Sequence, residues 1–327
     1  MKKIRWGIAG PGKIAKKFAK AVLNLDCCEL VAVASRSVER AEEFSKQFGI
    51  PNVFSSYEEM AQSDVVDAVY VATPHPFHKP CSEIFIKAKK HVLCEKPLCV
   101  NEKEAAMLTN LAKENGVFLM EAMWTKFLPA INDAVKLVND GEIGQIRALS
   151  ADFCYNCPPS AEPKIYQNNM AGGSLLDVGV YGLHFASLFL GYEPESITAS
   201  ADVDYDVDCH TQVLMKYKNG AVANISSALN VYKPESAYIY GSKGYIFIPD
   251  FYKATEFFVR CEGKKEKHFV NKCIGDGFEE EIIEACMCIN ENKLESDVVP
   301  HCDTIKIMEQ MDKIRGIIGL KYPFDEA

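Results

Sequence analysis

The sequence predicts an α/β domain built on a doubly wound parallel sheet, followed by an α+β domain with an open, mostly antiparallel sheet. In the first part of the chain, short apolar strands alternate with helical stretches of about ten to fifteen residues, the pattern of a parallel sheet. Later, strand-like segments follow one another with few helices between them. Because 327 residues exceed the usual size of one domain, we expect two domains, covering residues 1–122 and 123–327.

The elements of the first domain are read from short apolar runs and from helix-capping residues. Asn101, followed three residues later by Glu104, has the spacing of a helix N-cap. The predicted strands cover residues 4–9, 29–34, 65–72, 91–93 and 117–121. The predicted helices cover residues 15–23, 40–48, 80–88 and 101–115.

The second domain contains more strands than helices, and turn signals such as Asn219-Gly220 separate some of them. The predicted strands cover residues 146–155, 196–205, 210–217, 221–229, 237–240, 245–248 and 256–261. The predicted helices cover residues 130–138, 171–184, 277–290 and 303–318. We expect the last two helices to pack on this sheet or to return to the first domain.

Composition narrows the class of protein. A formal net charge of −9 and a pI near 5.4 argue against nucleic acid or an anionic membrane as the main partner. The first residues lead directly into a strand and contain no signal-peptide core, and there is no run of eighteen apolar residues. We therefore expect a cytoplasmic protein without a membrane partner.

Thirteen cysteines are scattered through apolar segments. In a cytoplasmic protein they are most simply small buried hydrophobic residues that stay reduced. Cys154 and Cys157 have a Cys-x-x-Cys spacing, but no second such pair lies nearby. The sequence therefore predicts no metal site.

A glycine-rich loop follows the first strand and opens the first helix. Gly10, Gly12 and Ala15 give the pattern Gly-x-Gly-x-x-Ala, with Lys13 and Ile14 between the last two. Gly10 permits a tight turn and Gly12 allows backbone to approach a pyrophosphate, which would lie at the helix N-terminus. This context predicts a dinucleotide-binding loop.

The end of the second strand predicts which dinucleotide binds. An NAD-selective site usually has an acidic residue there, which accepts hydrogen bonds from the ribose 2′-hydroxyl. This chain has Ser35 and Arg36, with Arg40 one helical turn later. These residues suit a 2′-phosphate, so the sequence favours NADP, although NAD remains possible.

Two further strand ends carry polar side chains to the same edge of the sheet. After the third predicted strand come Thr73 and Pro74, which would contact the cofactor, and then His75 and His78. Either histidine would line the nicotinamide pocket or cap the following helix.

The next strand ends in Glu95-Lys96-Pro97. Pro97 cannot continue a sheet and biases Lys96 toward an extended conformation, which would present the amine in one direction. Ligands bind at this edge in open α/β sheets, and a lysine there can exchange a proton. Glu95 and Lys96 are thus candidate cofactor contacts; the alternative is a solvated ion pair in a turn.

One helix of the second domain has a polar face. Asp177, Tyr181 and His184 are spaced i, i+4 and i+7, so they would share one side of the predicted helix at 171–184. Such groups are costly to bury unless they are paired or take part in chemistry. They predict substrate contacts and, with Lys96, a proton-transfer site; the alternative is a hydrogen-bonded core stripe.

With these motifs, the chain resembles the Gfo/Idh/MocA family of NAD(P)-dependent oxidoreductases over essentially its full length. The resemblance rests on residues 10–15, Ala72-Thr73-Pro74 with His78, Glu95-Lys96-Pro97 and residues 172–181. It implies a Rossmann domain followed by an open sheet domain, with Lys96 as the catalytic lysine near the nicotinamide.

The resemblance is greatest to the branch that contains dimeric dihydrodiol dehydrogenase and NADP-dependent xylose dehydrogenase. Inositol dehydrogenase-like members carry His four residues after the aspartate, where this chain has Tyr181. The stretch 121–127 is also similar to that branch, except that Lys126 stands where we expect Arg. The resemblance implies that Trp124, Phe153 and Tyr155 line the substrate pocket; their alternative role is aromatic core.

We therefore expect NADP-dependent hydride transfer between nicotinamide C4 and a carbinol carbon of a sugar or trans-dihydrodiol. Lys96 or Tyr181 would be the acid/base and Asp177 would orient the substrate. Two alternatives remain: a cofactor-binding sensor without turnover, and an NAD(P)H reductase of a C=N or tetrapyrrole substrate. The open sheet would need covering, so we expect a homodimer or homotetramer.

Overall fold

The computed structural model describes residues 2–325 and divides the chain into two compact units. The first unit runs to Trp124 and also includes Ile274–Ile305; the second consists of Thr125–Cys273 and the chain from Lys306 onward. The first unit ends close to the predicted boundary at residue 122. The predicted division differs in leaving residues 274–305 in the second domain.

The first unit contains a six-stranded parallel sheet. Its order is β3-β2-β1-β4-β5-β6, and every neighbouring pair is parallel. The direction of winding reverses between β1 and β4, which is where doubly wound sheets bind ligands. The strands are β1 (Ile4–Ala9), β2 (Cys28–Ala34), β3 (Asn52–Phe54), β4 (Ala68–Val71), β5 (His91–Glu95) and β6 (Leu119–Ala122).

The predicted helices form, with local shifts in their ends. The side chain of Asn101 accepts a hydrogen bond from the Glu104 amide at 2.9 Å, which confirms the predicted cap. The short elements β3 and α3 were not predicted because they carry too few residues to show a period. The helices are α1 (Lys13–Leu23), α2 (Val38–Phe48), α3 (Tyr57–Gln62), α4 (His78–Lys87), α5 (Glu102–Asn115), α6 (Pro129–Asn139), α7 (Val180–Leu190), α8 (Phe278–Asn290) and α9 (His301–Ile318).

The second unit contains an eight-stranded sheet of order β14-β13-β12-β11-β7-β10-β9-β8. All neighbouring pairs are antiparallel except β7 with β10, so the predicted fold class is confirmed. The edge strand β14 was not predicted. The strands are β7 (Ile146–Cys154), β8 (Ser196–Asp204), β9 (Val207–Lys216), β10 (Val222–Ala228), β11 (Ala237–Gly241), β12 (Gly244–Ile248), β13 (Glu256–Cys261) and β14 (Lys267–Val270).

Aromatic side chains fix α1 on the first sheet. The ring of Phe18, on α1, stacks on that of Tyr70, on β4, with centroids 3.9 Å apart. Trp6, on β1, meets Phe18 edge to face at 5.5 Å, and all three are fully buried. This packing sets the position of the loop that joins β1 to α1.

One segment of the second unit, Asn168–Leu190, is long and apolar enough to cross a membrane by length and composition alone. However, 78% of its most apolar window is buried within the protein. A buried core helix meets the same criterion, and α7 packs on β7 and β10 in this way.

Candidate active site

The glycine loop has the geometry that its sequence predicts. Gly10 has φ +93°, and a Cβ there would lie 3.0 Å from the carbonyl oxygen of Ala72, so glycine is required. A Cβ on Gly12, by contrast, would meet no atom within 4 Å. The loop therefore presents bare backbone to open space.

The start of α1 fits a pyrophosphate. Its first turn has no acidic residue, and no side chain caps its N-terminal amides. Ala15 is fully buried against the sheet, while Lys13 is exposed and Ile14 is half-buried. An uncapped helix N-terminus carries partial positive charge and free amides, which are the groups that bind dinucleotide phosphates.

Basic side chains lie beyond the end of β2. Arg36 is exposed, and its guanidinium carbon lies 5.1 Å from the centre of the Phe77 ring. Arg40 is exposed in the first turn of α2, whose N-cap is Ser37. The hydroxyl of Ser35 is turned inward and accepts a hydrogen bond from the Ser37 amide at 3.2 Å. Two guanidinium groups are thus accessible to an anion there.

The loop after β4 contains an unsatisfied hydroxyl. Thr73 is buried, and its Oγ1 has no hydrogen-bond partner among residues 2–325. Leaving such a group unpaired costs about 1–3 kcal/mol, which a bound cofactor would recover. Pro74 and His75, both half-buried, follow it at the start of a 3₁₀ turn.

His78 is a structural residue. Its ring is 1% exposed, with Nε2 2.7 Å from the Thr73 carbonyl and Nδ1 2.8 Å from the Pro97 carbonyl. Burial, and next the charge of His75, lower the pKa of His78 to about 3, so the ring is neutral at pH 7. A neutral imidazole donates to one carbonyl and only contacts the other. His78 therefore begins α4 and joins two loops, rather than presenting its ring at an open pocket.

The Glu95-Lys96-Pro97 stretch lies at the carboxyl end of β5. Glu95 is buried, accepts a hydrogen bond from the Tyr70 hydroxyl and accepts another from the Lys96 amide at 3.2 Å. Burial raises the pKa of Glu95, and the charge of Lys96 opposes this shift. Lys96 is half-buried, and its peptide bond to Pro97 is cis.

A second carboxylate anchors this loop. Glu121 is 2% exposed; its Oε1 accepts the Leu98 amide at 3.0 Å and its Oε2 accepts the Thr304 hydroxyl at 2.8 Å. Sequence reasoning did not assign this role. The sequence did contain a signal: a carboxylate at the end of an apolar strand. Burying a carboxylate is costly unless hydrogen-bond donors surround it.

Another missed residue is Glu281, on α8. It is fully buried, and neither carboxyl oxygen has a hydrogen-bond partner among residues 2–325. Burial, together with the charge of Glu95, raises the pKa of Glu281 well above its usual range. An uncharged carboxylic acid therefore lies within electrostatic reach of the Glu95-Lys96 loop.

In the second unit, the predicted helix at 171–184 begins differently. Residues Leu175–Gly179 form a π-helical turn, and the α-helix starts only at Val180. The i, i+4, i+7 face assumed one regular α-helix, so the spacing does not hold across the π turn. Asp177 is half-buried in this turn, and its Oδ2 accepts the hydroxyl of Tyr155 at 2.7 Å.

Asp208 fixes the start of the π turn. Its Oδ2 accepts hydrogen bonds from the Ser174 hydroxyl at 2.8 Å, the Leu175 amide at 2.7 Å and the Thr211 hydroxyl at 2.8 Å. Gly173 has φ +117°, and a Cβ there would collide with this carboxylate. Gly173 is therefore required by an aspartate on β9 that the sequence motif did not reveal, while a Cβ on Gly172 would collide with the Ile165 carbonyl.

An aromatic cluster surrounds the Asp177 turn. The ring of Tyr181 lies 5.3 Å from that of Phe153, and Tyr252 stacks on Phe153 at 4.2 Å. The hydroxyl of Tyr155 bonds to Asp177, as described above. Ring contacts and one hydrogen bond thus link Phe153, Tyr155, Asp177 and Tyr181, and Tyr252 joins them from a 3₁₀ turn that carries no motif.

Other predicted site residues lie elsewhere. Trp124 belongs to the first unit and packs on Phe278 at 4.8 Å, with the Lys17 amine 6.0 Å from its ring centre. His184 is 1% exposed, within the core of the second unit.

Lys126, where the resemblance leads one to expect Arg, is 3% exposed. Its amine donates to the Tyr192 hydroxyl at 3.1 Å. A bidentate contact of the kind that Arg makes is not available to a lysine amine.

A parallel sheet of this order, with a glycine loop at its reversal point, defines a dinucleotide-binding Rossmann fold. Residues 4–123 match the model of an oxidoreductase family with an NAD-binding Rossmann fold, and residues 131–247 match the Gfo/Idh/MocA C-terminal domain. The chain belongs to the Gfo/Idh/MocA oxidoreductase family.

The chain is also similar to proteins of assigned activity. It is 36% identical over 335 residues to trans-1,2-dihydrobenzene-1,2-diol dehydrogenase from Mus musculus, covering 99% of each chain. Among solved structures it is similar to a 3-ketoreductase from Actinomadura kijaniata in complex with NADP and TDP-benzene, with 27% identity, TM-score 0.88 and coverage of 97% of this chain and 98% of that one. A third is aldose-aldose oxidoreductase from Caulobacter crescentus complexed with glycerol, with 25% identity, TM-score 0.87 and 97% of each chain covered.

Proposed function

We propose that this protein is an NADP-dependent dehydrogenase that transfers a hydride between nicotinamide C4 and a carbinol carbon of a sugar or trans-dihydrodiol. The observation that carries the proposal is the position of Lys96. It stands at the carboxyl edge of the sheet that carries the glycine loop, and its loop is fixed by His78 and Glu121. A lysine on an anchored loop at this edge suits proton transfer beside a bound dinucleotide.

The preference for NADP rests on charge at the end of β2. Ser35 replaces the acidic residue that an NAD site usually has, and Arg36 and Arg40 are exposed there. A 2′-phosphate would gain charge-assisted hydrogen bonds from guanidinium groups. The Actinomadura reductase is itself solved with NADP, which agrees with this choice.

The nicotinamide supplies the redox chemistry by accepting or donating hydride. Oxidation of a carbinol releases a hydride and a proton. The nicotinamide takes the hydride, so the protein must take the proton. We assign this step to the Lys96 amine or the Tyr181 hydroxyl, a kind of catalysis that contributes about 100- to 10,000-fold. Solved variants of the Actinomadura reductase include substitutions of a lysine and of a tyrosine, the same two residue types.

Asp177 is assigned to orienting the substrate. Its carboxylate can accept a hydrogen bond from a substrate hydroxyl while Tyr155 holds it from the other side at 2.7 Å. The ring of Phe153, which meets that of Tyr155 at 6.4 Å and stacks on that of Tyr252, offers an apolar surface. A carboxylate next to aromatic rings suits a polyol or a cyclic diol, which present hydroxyls on a carbon framework.

We further propose a homodimer or homotetramer. Aromatic side chains line the outer face of the second sheet across neighbouring strands: Tyr238 stacks on Phe247 at 4.6 Å, and Phe258 lies 6.0 Å from Phe247. Tyr240 on the same face is 39% exposed. Light scattering at micromolar concentration tests this proposal. We expect the mass of a dimer or a tetramer, because a monomer would leave these aromatic side chains exposed to solvent.

We also place the protein in the cytoplasm. None of the thirteen cysteines is in a disulfide, and nine of them are buried. Free thiols persist in a reducing compartment. Localisation of a tagged copy in its source cell tests this assignment.

The function is tested by following reduced-nicotinamide absorbance with NADP and NAD, against pentoses, hexoses, cyclitols and a trans-dihydrodiol, and in reverse with keto sugars. Turnover with NADP on one of these classes supports the proposal. Tight NADPH binding without turnover on any of them contradicts it, and favours a sensor or a reductase of a C=N or tetrapyrrole substrate.

A further inference from the structure

Three thiols meet in the first unit, two from the start of β2 and one from α8. The Sγ atoms of Cys27, Cys28 and Cys286 all lie within 4.8 Å of one another. Cys28 and Cys286 are buried and Cys27 is half-buried. Each thiol lies within hydrogen-bonding reach of the other two.

Backbone contacts hold the three sulfurs in place. Side chains of adjacent strand residues point to opposite faces, but Cys27 lies in a bend before β2, with its carbonyl accepting the Ile4 amide at 3.1 Å. Because of this bend, the side chains of Cys27 and Cys28 can both lie near the sulfur of Cys286. Cys286 lies within α8, where Asn290 Nδ2 donates to its carbonyl at 2.8 Å. The arrangement is therefore preformed.

We propose that Cys27, Cys28 and Cys286 bind one Zn²⁺ ion, with a water molecule as the fourth ligand. Tetrahedral zinc with Zn–S distances of about 2.3 Å requires sulfurs about 3.8 Å apart. The sulfurs here lie within 4.8 Å, so binding needs a contraction of about 1 Å or less.

The choice of zinc follows from ligand chemistry and charge. Thiolates are soft ligands that select Zn²⁺ and Cu⁺ over calcium, magnesium and manganese. No basic residue is among the groups that act on these thiols. Three thiolates would thus leave a charge of about −1 around Zn²⁺ but about −2 around Cu⁺, and burial penalises the larger charge. Half-buried Cys27 provides the path by which ion and water enter.

The site would join the start of β2 to α8 and so fix Ile274–Ile305 on the first sheet. Zinc binding would then stabilise this unit, since a ligand that binds only the folded state shifts the folding equilibrium by the factor 1 + [L]/Kd. This inference revises the expectation, made from the sequence, of a protein without a metal site.

The test uses untagged protein, reduced and stripped of metal. Cd²⁺ is the probe because its thiolate complexes absorb in the near ultraviolet, and Zn²⁺ is then added as competitor. We expect one equivalent of Cd²⁺, displaced by Zn²⁺. Binding should weaken by roughly 100-fold or more in Cys27→Ser and be lost in Cys286→Ser. Cys288→Ser is the matched control, because it removes a buried thiol of the same helix outside the cluster.

A second measurement does not depend on variants that might misfold. Alkylation of native protein, mapped to each cysteine by mass spectrometry, is expected to slow at the three proposed ligands when Zn²⁺ is added. Exposed Cys302 serves as the internal reference and should react unchanged. Absence of the thiolate band, its survival in Cys286→Ser, or equal alkylation with and without zinc would overturn the proposal.

Discussion

The hydroxyl of Tyr155 donates a hydrogen bond of 2.7 Å to Asp177, and so links a residue just beyond β7 to the π turn that precedes α7. Asp177 is half-buried, and burial followed by the charge of Asp177 raises the pKa of Tyr155. Tyr155 therefore remains protonated and serves as a donor at every working pH. In the proposed reaction it holds the orienting carboxylate.

Tyr155→Phe is expected to lower kcat/KM by about 10- to 100-fold, because a hydrogen bond to a charged group contributes about 1.5–3 kcal/mol. Tyr217→Phe is the control, since it removes a buried hydroxyl of the same unit that has no hydrogen-bond partner among residues 2–325. An equal fall in kcat/KM in both variants would argue against an orienting role for Asp177.

Lys96→Met is expected to reduce kcat by at least about 100-fold, since it removes the proposed proton-transfer group. NADPH affinity, measured by fluorescence titration, should remain close to that of the parent protein. Lys87→Met is the control; this lysine pairs with Glu83 on the surface of α4. Turnover retained by the Lys96 variant would leave Tyr181 as the acid/base.

Arg36→Ala is expected to raise KM for NADP by about 10- to 100-fold and to leave KM for NAD unchanged, because only NADP carries the phosphate that the guanidinium would bind. Arg147→Ala, an exposed arginine of the second unit, is the control. An equal rise in KM for NADP and for NAD would contradict the assignment of Arg36 to the 2′-phosphate.

The stability of the protein is expected to depend on pH through His78. Its folded pKa is lowered from 6.5 to about 3, so the unfolded state binds more protons below pH 6.5 and stability falls as pH decreases toward 3. One such group removes about 2 kcal/mol between pH 7 and pH 5.

His78→Gln should weaken this dependence in urea unfolding, while His268→Gln, an exposed histidine paired with Glu256, should not. An unchanged slope in the His78 variant would show that other groups dominate acid unfolding.

Glu281→Met is expected to raise the free energy of unfolding by about 1–3 kcal/mol, because it removes a buried carboxyl without hydrogen-bond partners. The raised pKa favours the protonated form in the folded state, so the cost of Glu281 grows above pH 4.5 and the gain from Met should grow with it. Glu114→Gln, on exposed surface, is the control. If Glu281→Met is more stable but has a lower kcat, then Glu281 contributes to activity at a cost in stability.

The sequence alone determined the parallel sheet, the glycine loop and the Glu95-Lys96-Pro97 strand end. These features are local: a strand, a turn and the first turn of a helix are specified by residues adjacent in the chain. The position of Gly10 follows in the same way, because a backbone conformation with positive φ needs glycine whatever surrounds it.

Tertiary structure decided what depends on distant partners. The Gly172-Gly173 pair appeared as a motif, but it is the carboxylate of Asp208 on β9 that requires glycine at position 173. His78 was predicted to line the nicotinamide pocket or to cap the following helix, and it is the first residue of α4. Only the folded chain shows that its ring contacts two carbonyls from separate loops.

The cluster of three cysteines also depends on residues that are distant in sequence. Cys27 and Cys28 are neighbours in sequence, but Cys286 reaches them only because α8 packs beside α1 in the first unit. Hydrophobic periodicity predicts which face of a helix is buried, and it does not predict what that face meets. The cluster of thiols, like the buried acid of Glu281, therefore exists only in the folded chain.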